Sequence, residues 1–158
     1  MRLYFLRHAE ALDGLDDAAR PLSPRGKKQA DKLARFLREA GIEFDAAFSS
    51  PLVRARQTAE RVLKITNKQR QLKLVLVDAL LNSTSPRGFD RWLGALPAAE
   101  HVLLVGHEPS LSARVRCVLC VPGEAALKLS KGAVAIVELG AARNATLKFL
   151  LTPKLLMA

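Results

Sequence analysis

Leu3, Tyr4, Phe5 and Leu6 make a short unbroken apolar run that ends at Arg7 and His8. Such a run, without polar alternation, predicts a strand buried on both faces. Asp45 to Ser49, Leu72 to Val77 (LKLVLV) and His101 to Gly106 (HVLLVG) read as further strands. Ala133 to Leu139 (AVAIVEL) and Thr146 to Leu151 (TLKFLL) read as an antiparallel pair, with Gly140 and Asn144 in the turn and Pro153 ending the second strand. Between the first four strands the apolar spacing becomes helical. Ser23-Pro24 caps a helix whose apolar face is Ala30, Leu33, Ala34, Leu37 and Ala40, and Gly41 closes it. Other helices are predicted from Leu52 to Ile65, from Pro86 to Leu96, and from Glu108-Pro109 through Leu119. Strands alternating with helices predict an α/β fold.

The remaining segments are loops and solvated faces. Ala11 to Arg20 (ALDGLDDAAR) is polar, and long enough to fold back over the end of the first strand. Lys27, Lys28, Lys32, Arg35 and Arg38 fall on the polar side of the first helix, where solvent is expected. Arg56 and Arg61 are likewise expected to be exposed, and Trp92, the one tryptophan, to belong to the core.

With 158 residues, the chain is expected to form one domain over 1–158 with a substantial core. Its 49 % hydrophobic content excludes a disordered chain. The 25 Lys and Arg against 15 Asp and Glu give a net charge of +10, which points to anionic partners without choosing among phosphorylated substrates, nucleic acid and acidic proteins. The start is too short for a secretory apolar core, and no stretch approaches the roughly 18 apolar residues of a membrane span, so a cytoplasmic location is expected. Cys117 and Cys120 are too few for a disulfide framework, and packing is their expected role.

Candidate chemistry gathers at strand ends. In open α/β sheets ligands bind beyond the carboxyl ends of strands, where Arg7 and His8 stand. A guanidinium can hold phosphoryl oxygens in a fork while a neighbouring imidazole attacks phosphorus. Arg54, in the first turn of a helix, is a second contact suited to an anion. His107 repeats the pattern of His8, an apolar strand followed by a histidine and then a helix, which points to a shared site. One tryptophan, one tyrosine and basic residues spread over helix faces argue against nucleic acid.

Four segments in order, LYFLRHAEA, RPLSPRGKKQA, SSPLVRARQTA and VLLVGHEPSL, carry a resemblance to the histidine phosphatase superfamily. Within this phosphoglycerate-mutase-like group the chain resembles the small SixA-type phosphohistidine phosphatases, as does its closing LTPKLLMA. The resemblance implies a three-layer α/β/α sandwich around a mostly parallel sheet of about six strands. It makes His8 the phosphorylated nucleophile, Arg7 and Arg54 the phosphoryl clamp, and His107 a donor to the same group. For His8 to attack, it must be neutral, so its other ring nitrogen should donate to a carbonyl. Arg20 and Glu10 match secondary positions beside the pocket. No cofactor or metal is implied.

The family ordinarily has glycine after the first Arg-His pair, and here that residue is Ala9, which fits if its φ is negative. Larger members carry an acidic proton donor after the third strand, in a lengthened region absent here. Asp78 and Glu108 are the possible donors. An acid matters less when imidazole leaves, since that is a weaker base than an alkoxide. The short middle segment therefore favours phosphohistidine, and it also predicts little cover over the pocket. The expected function is metal-independent hydrolysis of phosphohistidine on a protein such as a histidine phosphotransfer domain. The alternatives are a histidine phosphatase acting on small phosphate esters and a non-catalytic binder of phosphate or nucleic acid.

Overall fold

The computed structural model describes residues 1–124, 127–141 and 144–156. Six strands form one sheet: β1 (Arg2–Arg7), β2 (Ala46–Ser49), β3 (Leu74–Leu76), β4 (His101–Gly106), β5 (Val134–Leu139) and β6 (Ala145–Leu151). Their order is β3-β2-β4-β1-β5-β6. The first four run parallel, whereas β5 lies antiparallel to β1 and β6 antiparallel to β5. The helices are α1 (Pro24–Glu39), α2 (Val53–Thr66), α3 (Pro86–Gly94), α4 (Ser110–Val118) and the short α5 (Pro153–Leu156).

The alternation of side chains along a strand builds the three layers. Tyr4 and Leu6 of β1 join Leu103 and Val105 of β4 beneath Leu33, Leu37, Ala55, Ala59 and Val62 of α1 and α2. Leu3 and Phe5 point the other way, with Val102 and Leu104, against Phe89 of α3 and Leu111 and Val115 of α4. The expected sandwich is thus observed. Ser23 caps α1, its Oγ accepting from the Gly26 amide at 3.0 Å. None of the described helices is long and apolar enough to cross a membrane.

Several boundaries and environments differ from expectation. β3 is half the predicted strand, because it is a sheet edge paired with β2 alone. α4 begins at Ser110, after a cis Glu108–Pro109 peptide. Arg61 is not a free surface cation, since Asp31 of α1 accepts from its Nε at 2.9 Å and its Nη2 at 2.6 Å. Arg56 is half-buried rather than exposed. Cys117 and Cys120 are exposed thiols rather than packed ones, because Cys117 lies on the outer side of α4 and Cys120 in the turn beyond it. Trp92 packs edge-on against Phe48, with ring centroids 5.2 Å apart, within the expected core.

Two glycines hold the chain close to the sheet end. A Cβ on Gly26 would stand 1.9 Å from the Glu10 carbonyl oxygen, so only glycine lets α1 start this near β1. Gly132, at φ +75°, donates its amide to the Arg7 and His8 carbonyls.

Candidate active site

β4 lies directly beside β1, with Gly106 paired to Arg7, so the next residues, His107 and His8, leave the sheet side by side. The His8 amide extends the ladder to the Gly106 carbonyl at 3.0 Å. The two imidazole centroids are 5.0 Å apart. On the other side of β4, β2 runs into α2, whose first turn delivers Arg54. The sheet order therefore brings Arg7, His8, Arg54 and His107 together.

Both ring nitrogens of His8 have a protein partner, and the two partners differ in kind. Its Nδ1 stands 2.8 Å from the Ala9 carbonyl, an acceptor, which assigns the ring proton to Nδ1 and leaves Nε2 with its lone pair. Arg54 Nε donates toward that Nε2 at 3.3 Å. Burial pushes the imidazole down to about 4; the Ala9 carbonyl opposes this, and Arg54 and Arg7 add to it. Ala9 is not among the residues with positive φ, so alanine is accommodated. Its amide donates to Thr58 Oγ1 at 3.1 Å, and that hydroxyl donates to the Arg54 carbonyl at 2.7 Å. The loop that carries His8 and the helix that carries Arg54 are thereby joined.

The cations are also braced. Arg7 Nη1 donates to the Leu129 carbonyl at 2.9 Å, while its buried Nε has no protein partner. Burial lowers its pKa, and the Glu108 carboxylate opposes that shift. Arg54 spends both terminal nitrogens on Asp17: Nη1 on the carbonyl at 2.6 Å and Nη2 on the carboxylate at 3.0 Å. The Ala11–Arg20 loop does fold back, as its length and polarity imply, and this contact ties it to the site. His8 and Arg54 are each 7 % exposed and His107 is 3 % exposed.

His107 stands 2.5 Å by Nε2 from the Ser50 hydroxyl, and its buried Nδ1 has no protein partner. Burial, then the neighbouring His8 and Arg54, push this ring down to about 3. Both rings are therefore neutral at pH 7. Two guanidinium groups beside two neutral imidazoles can hold a phosphoryl group and present an unprotonated nitrogen to it.

The other predicted residues are more peripheral. Glu108 is half-buried and accepts from Ser112 Oγ at 2.6 Å; Ser112 Oγ in turn accepts from the Leu129 amide, whose residue's carbonyl holds Arg7. Asp78 is exposed on a 3₁₀ turn, and among the described residues no hydrogen bond or ion pair joins its carboxylate to the central four. Arg20 reaches the site through Asp17, donating to its carboxylate at 3.0 Å, and also binds Asp13 and the Leu12 carbonyl. Glu10 faces the start of α1, accepting from Ser23 Oγ at 2.8 Å with Arg25 3.6 Å away. Sequence reasoning missed Asp17, Ser50 and Thr58. Asp17 belonged to a loop already expected to fold back, but nothing local distinguished it from Asp13 or Asp16. Among the described residues, no cluster of His, Cys, Asp and Glu suited to a metal ion occurs.

Comparison with known proteins places this geometry in a family. Residues 3–81 match the model of the histidine phosphatase superfamily (branch 1). An uncharacterised protein of Picosynechococcus sp. is 33 % identical over 152 residues, covering 90 % of this chain and 88 % of that protein. The phosphohistidine phosphatase SixA of Escherichia coli (strain K12) is 27 % identical over 164 residues, covering 97 % and 94 %. The solved structure of the protein histidine phosphatase SixA complexed with tungstate superposes with a TM-score of 0.87 at 27 % identity, over 99 % of each chain. The matched segment contains all of β1 but its first residue, with Arg7, His8 and Arg54, and the likeness in fold to the SixA structure extends over nearly the whole chain: this protein belongs to the histidine phosphatase superfamily.

Proposed function

We propose that this phosphatase hydrolyses phosphohistidine on a protein, through a phosphohistidine formed on His8. The observation that carries the reading is the state of His8: neutral, anchored at Nδ1 by the Ala9 carbonyl, with Nε2 directed to the arginine that would clamp the phosphoryl group. The Nε2 lone pair attacks phosphorus as the bond from phosphorus to the substrate imidazole breaks, and the departing nitrogen takes a proton. Arg7 and Arg54 hold the non-bridging oxygens, and His107 donates to one of them. Water then attacks phosphorus, releasing inorganic phosphate and freeing Nε2. None of these steps calls on a metal. The incoming phosphoryl group competes with the Asp17 carboxylate for Arg54, so Asp17 and Arg20 border the route in.

Glu108 is assigned the proton transfers in preference to Asp78. It follows His107 directly and its charge acts on Arg7, whereas Asp78 sits on an exposed turn. The likeness to SixA over nearly the whole chain supports phosphohistidine as substrate, as does the passage from β3 straight into a 3₁₀ turn and α3. A protein bearing that group, such as a histidine phosphotransfer domain, is the expected partner.

Phosphate release from a phosphohistidine-bearing phosphotransfer protein and from an aryl phosphate, with wild type and His8→Ala, tests the reading. Release from the phosphoprotein should be fast and dependent on His8, and slow from the ester. Fast turnover of the ester alone would reassign the protein to small phosphate esters, and no turnover of either would leave a binding module.

A further inference from the structure

Ser50 has no place in the chemistry above, yet it is fully buried and its hydroxyl stands 2.5 Å from His107 Nε2. A neutral imidazole carries one N–H and one lone pair, so which nitrogen holds the proton decides whether it can donate to a phosphoryl oxygen. Nε2 is taken by Ser50, and Nδ1 is the nitrogen without a protein partner. If Nε2 held the proton, Nδ1 would meet an anionic oxygen with a lone pair and repel it. Ser50 would then also need another acceptor for its own proton, and its hydroxyl has only the one partner among the described residues.

We propose that Ser50 sets the tautomer of His107: its hydroxyl donates to Nε2, which places the single ring proton on Nδ1 as the donor to the phosphoryl group. The inference rests on the phosphatase reading for its purpose, but the proton's location can be measured without a substrate. Ser50 is a positioning residue acting through His107. The orphaned Nδ1 fits this role, since a buried ring N–H that no protein group accepts is left available to a phosphoryl oxygen. The low pKa of His107 agrees, because a doubly protonated ring would make the tautomer irrelevant.

The anchor of Ser50 is the sheet itself. Its amide donates to the Val105 carbonyl at 3.1 Å and its own carbonyl accepts from Ser49 Oγ at 2.9 Å. The backbone that carries the hydroxyl is thus registered against β4, the strand that carries His107.

Long-range nitrogen-15 correlation spectra of the wild-type protein at neutral pH should show His107 protonated at Nδ1 and bare at Nε2; the reverse pattern would overturn the proposal. Ser50→Ala should mix the two tautomers and lower kcat on the phosphoprotein by roughly 10- to 100-fold with a smaller change in KM, the range for an orienting group that acts through another. Ser50→Thr keeps the hydroxyl and should recover both the tautomer and most of the rate. An unchanged His107 spectrum in folded Ser50→Ala would also defeat the proposal. If the wild-type tautomer is as stated but no phosphohistidine is hydrolysed, the substrate reading fails while the Ser50 assignment stands.

Discussion

In the proposed reaction His8 attacks only while Nε2 is unprotonated, and burial has moved that limit far from a solvated histidine's. A free imidazole titrates near 6.5, whereas this ring is held down to about 4. Lowering the pH from 7 to 5 should therefore leave His8 neutral, and the acid limb of kcat/KM, once the substrate's own ionisation is divided out, should fall near pH 4. A limb at 6.5 would mean that the ring is solvated in the working enzyme. Stability falls as the pH is lowered for the same reason, because below about 6.5 the unfolded chain takes up protons at His8 and His107 that the native rings resist until about 4 and about 3. Arg7, His8, Arg54 and His107 were recognisable from strand ends and a helix start. Their neighbours were not, since a serine or aspartate becomes notable only when it faces something.

At the scale of elements, the junction of β1 and α1 is the tightest constraint on the site. Gly26→Ala would place a methyl 1.9 Å from the Glu10 carbonyl oxygen, which also accepts from the Ser23 amide. The start of α1 must shift, and denaturant titration should show a loss of about 1–3 kcal/mol, as for other overpacked sites. Activity should fall with it, because Glu10 is two residues from His8. Gly94→Ala, where an added Cβ meets nothing within 4 Å, should be neutral or stabilising in the same titration. Comparable losses at both positions would refute the close-approach argument. The periodicity of α1 was legible to within a residue or two, because Ala30 packs on Ala9 and Leu22, and Leu33, Ala34 and Leu37 enter the core above the sheet, whereas Ala40, beyond the last turn, is exposed. β3 was overestimated for the opposite reason: Leu72 and Lys73 keep strand-like composition but have no paired neighbour.

For the whole molecule, charge should govern encounter more than chemistry. A net charge of +10 attracts an acidic phosphoprotein over distances that salt screens. Raising ionic strength from ~0.01 M to ~0.5 M should lower kcat/KM for such a protein by roughly tenfold through slower association, with a smaller effect on an aryl phosphate. Equal sensitivity for both substrates would place the salt effect at the site instead of in the approach. The exposed faces of α1, with Lys27, Lys28, Lys32, Arg35 and Arg38, are as solvated as their spacing implied. By contrast, the Arg61 pairing with Asp31 between α1 and α2 was hidden, since it depends on two helices meeting.

By itself the sequence determined the α/β class, the type and approximate extent of most elements, and the residues placed at the ends of β1 and β4, because apolar periodicity and caps are local properties. It also carried the family resemblance in four ordered segments. Only the tertiary structure decided that β4 inserts between β2 and β1, and hence that His107 stands beside His8. The same holds for Asp17 on Arg54, Ser50 on His107 and the negative φ that lets Ala9 replace glycine. Each of these depends on contacts between residues far apart in the chain or on the backbone those contacts impose, and local pattern records neither.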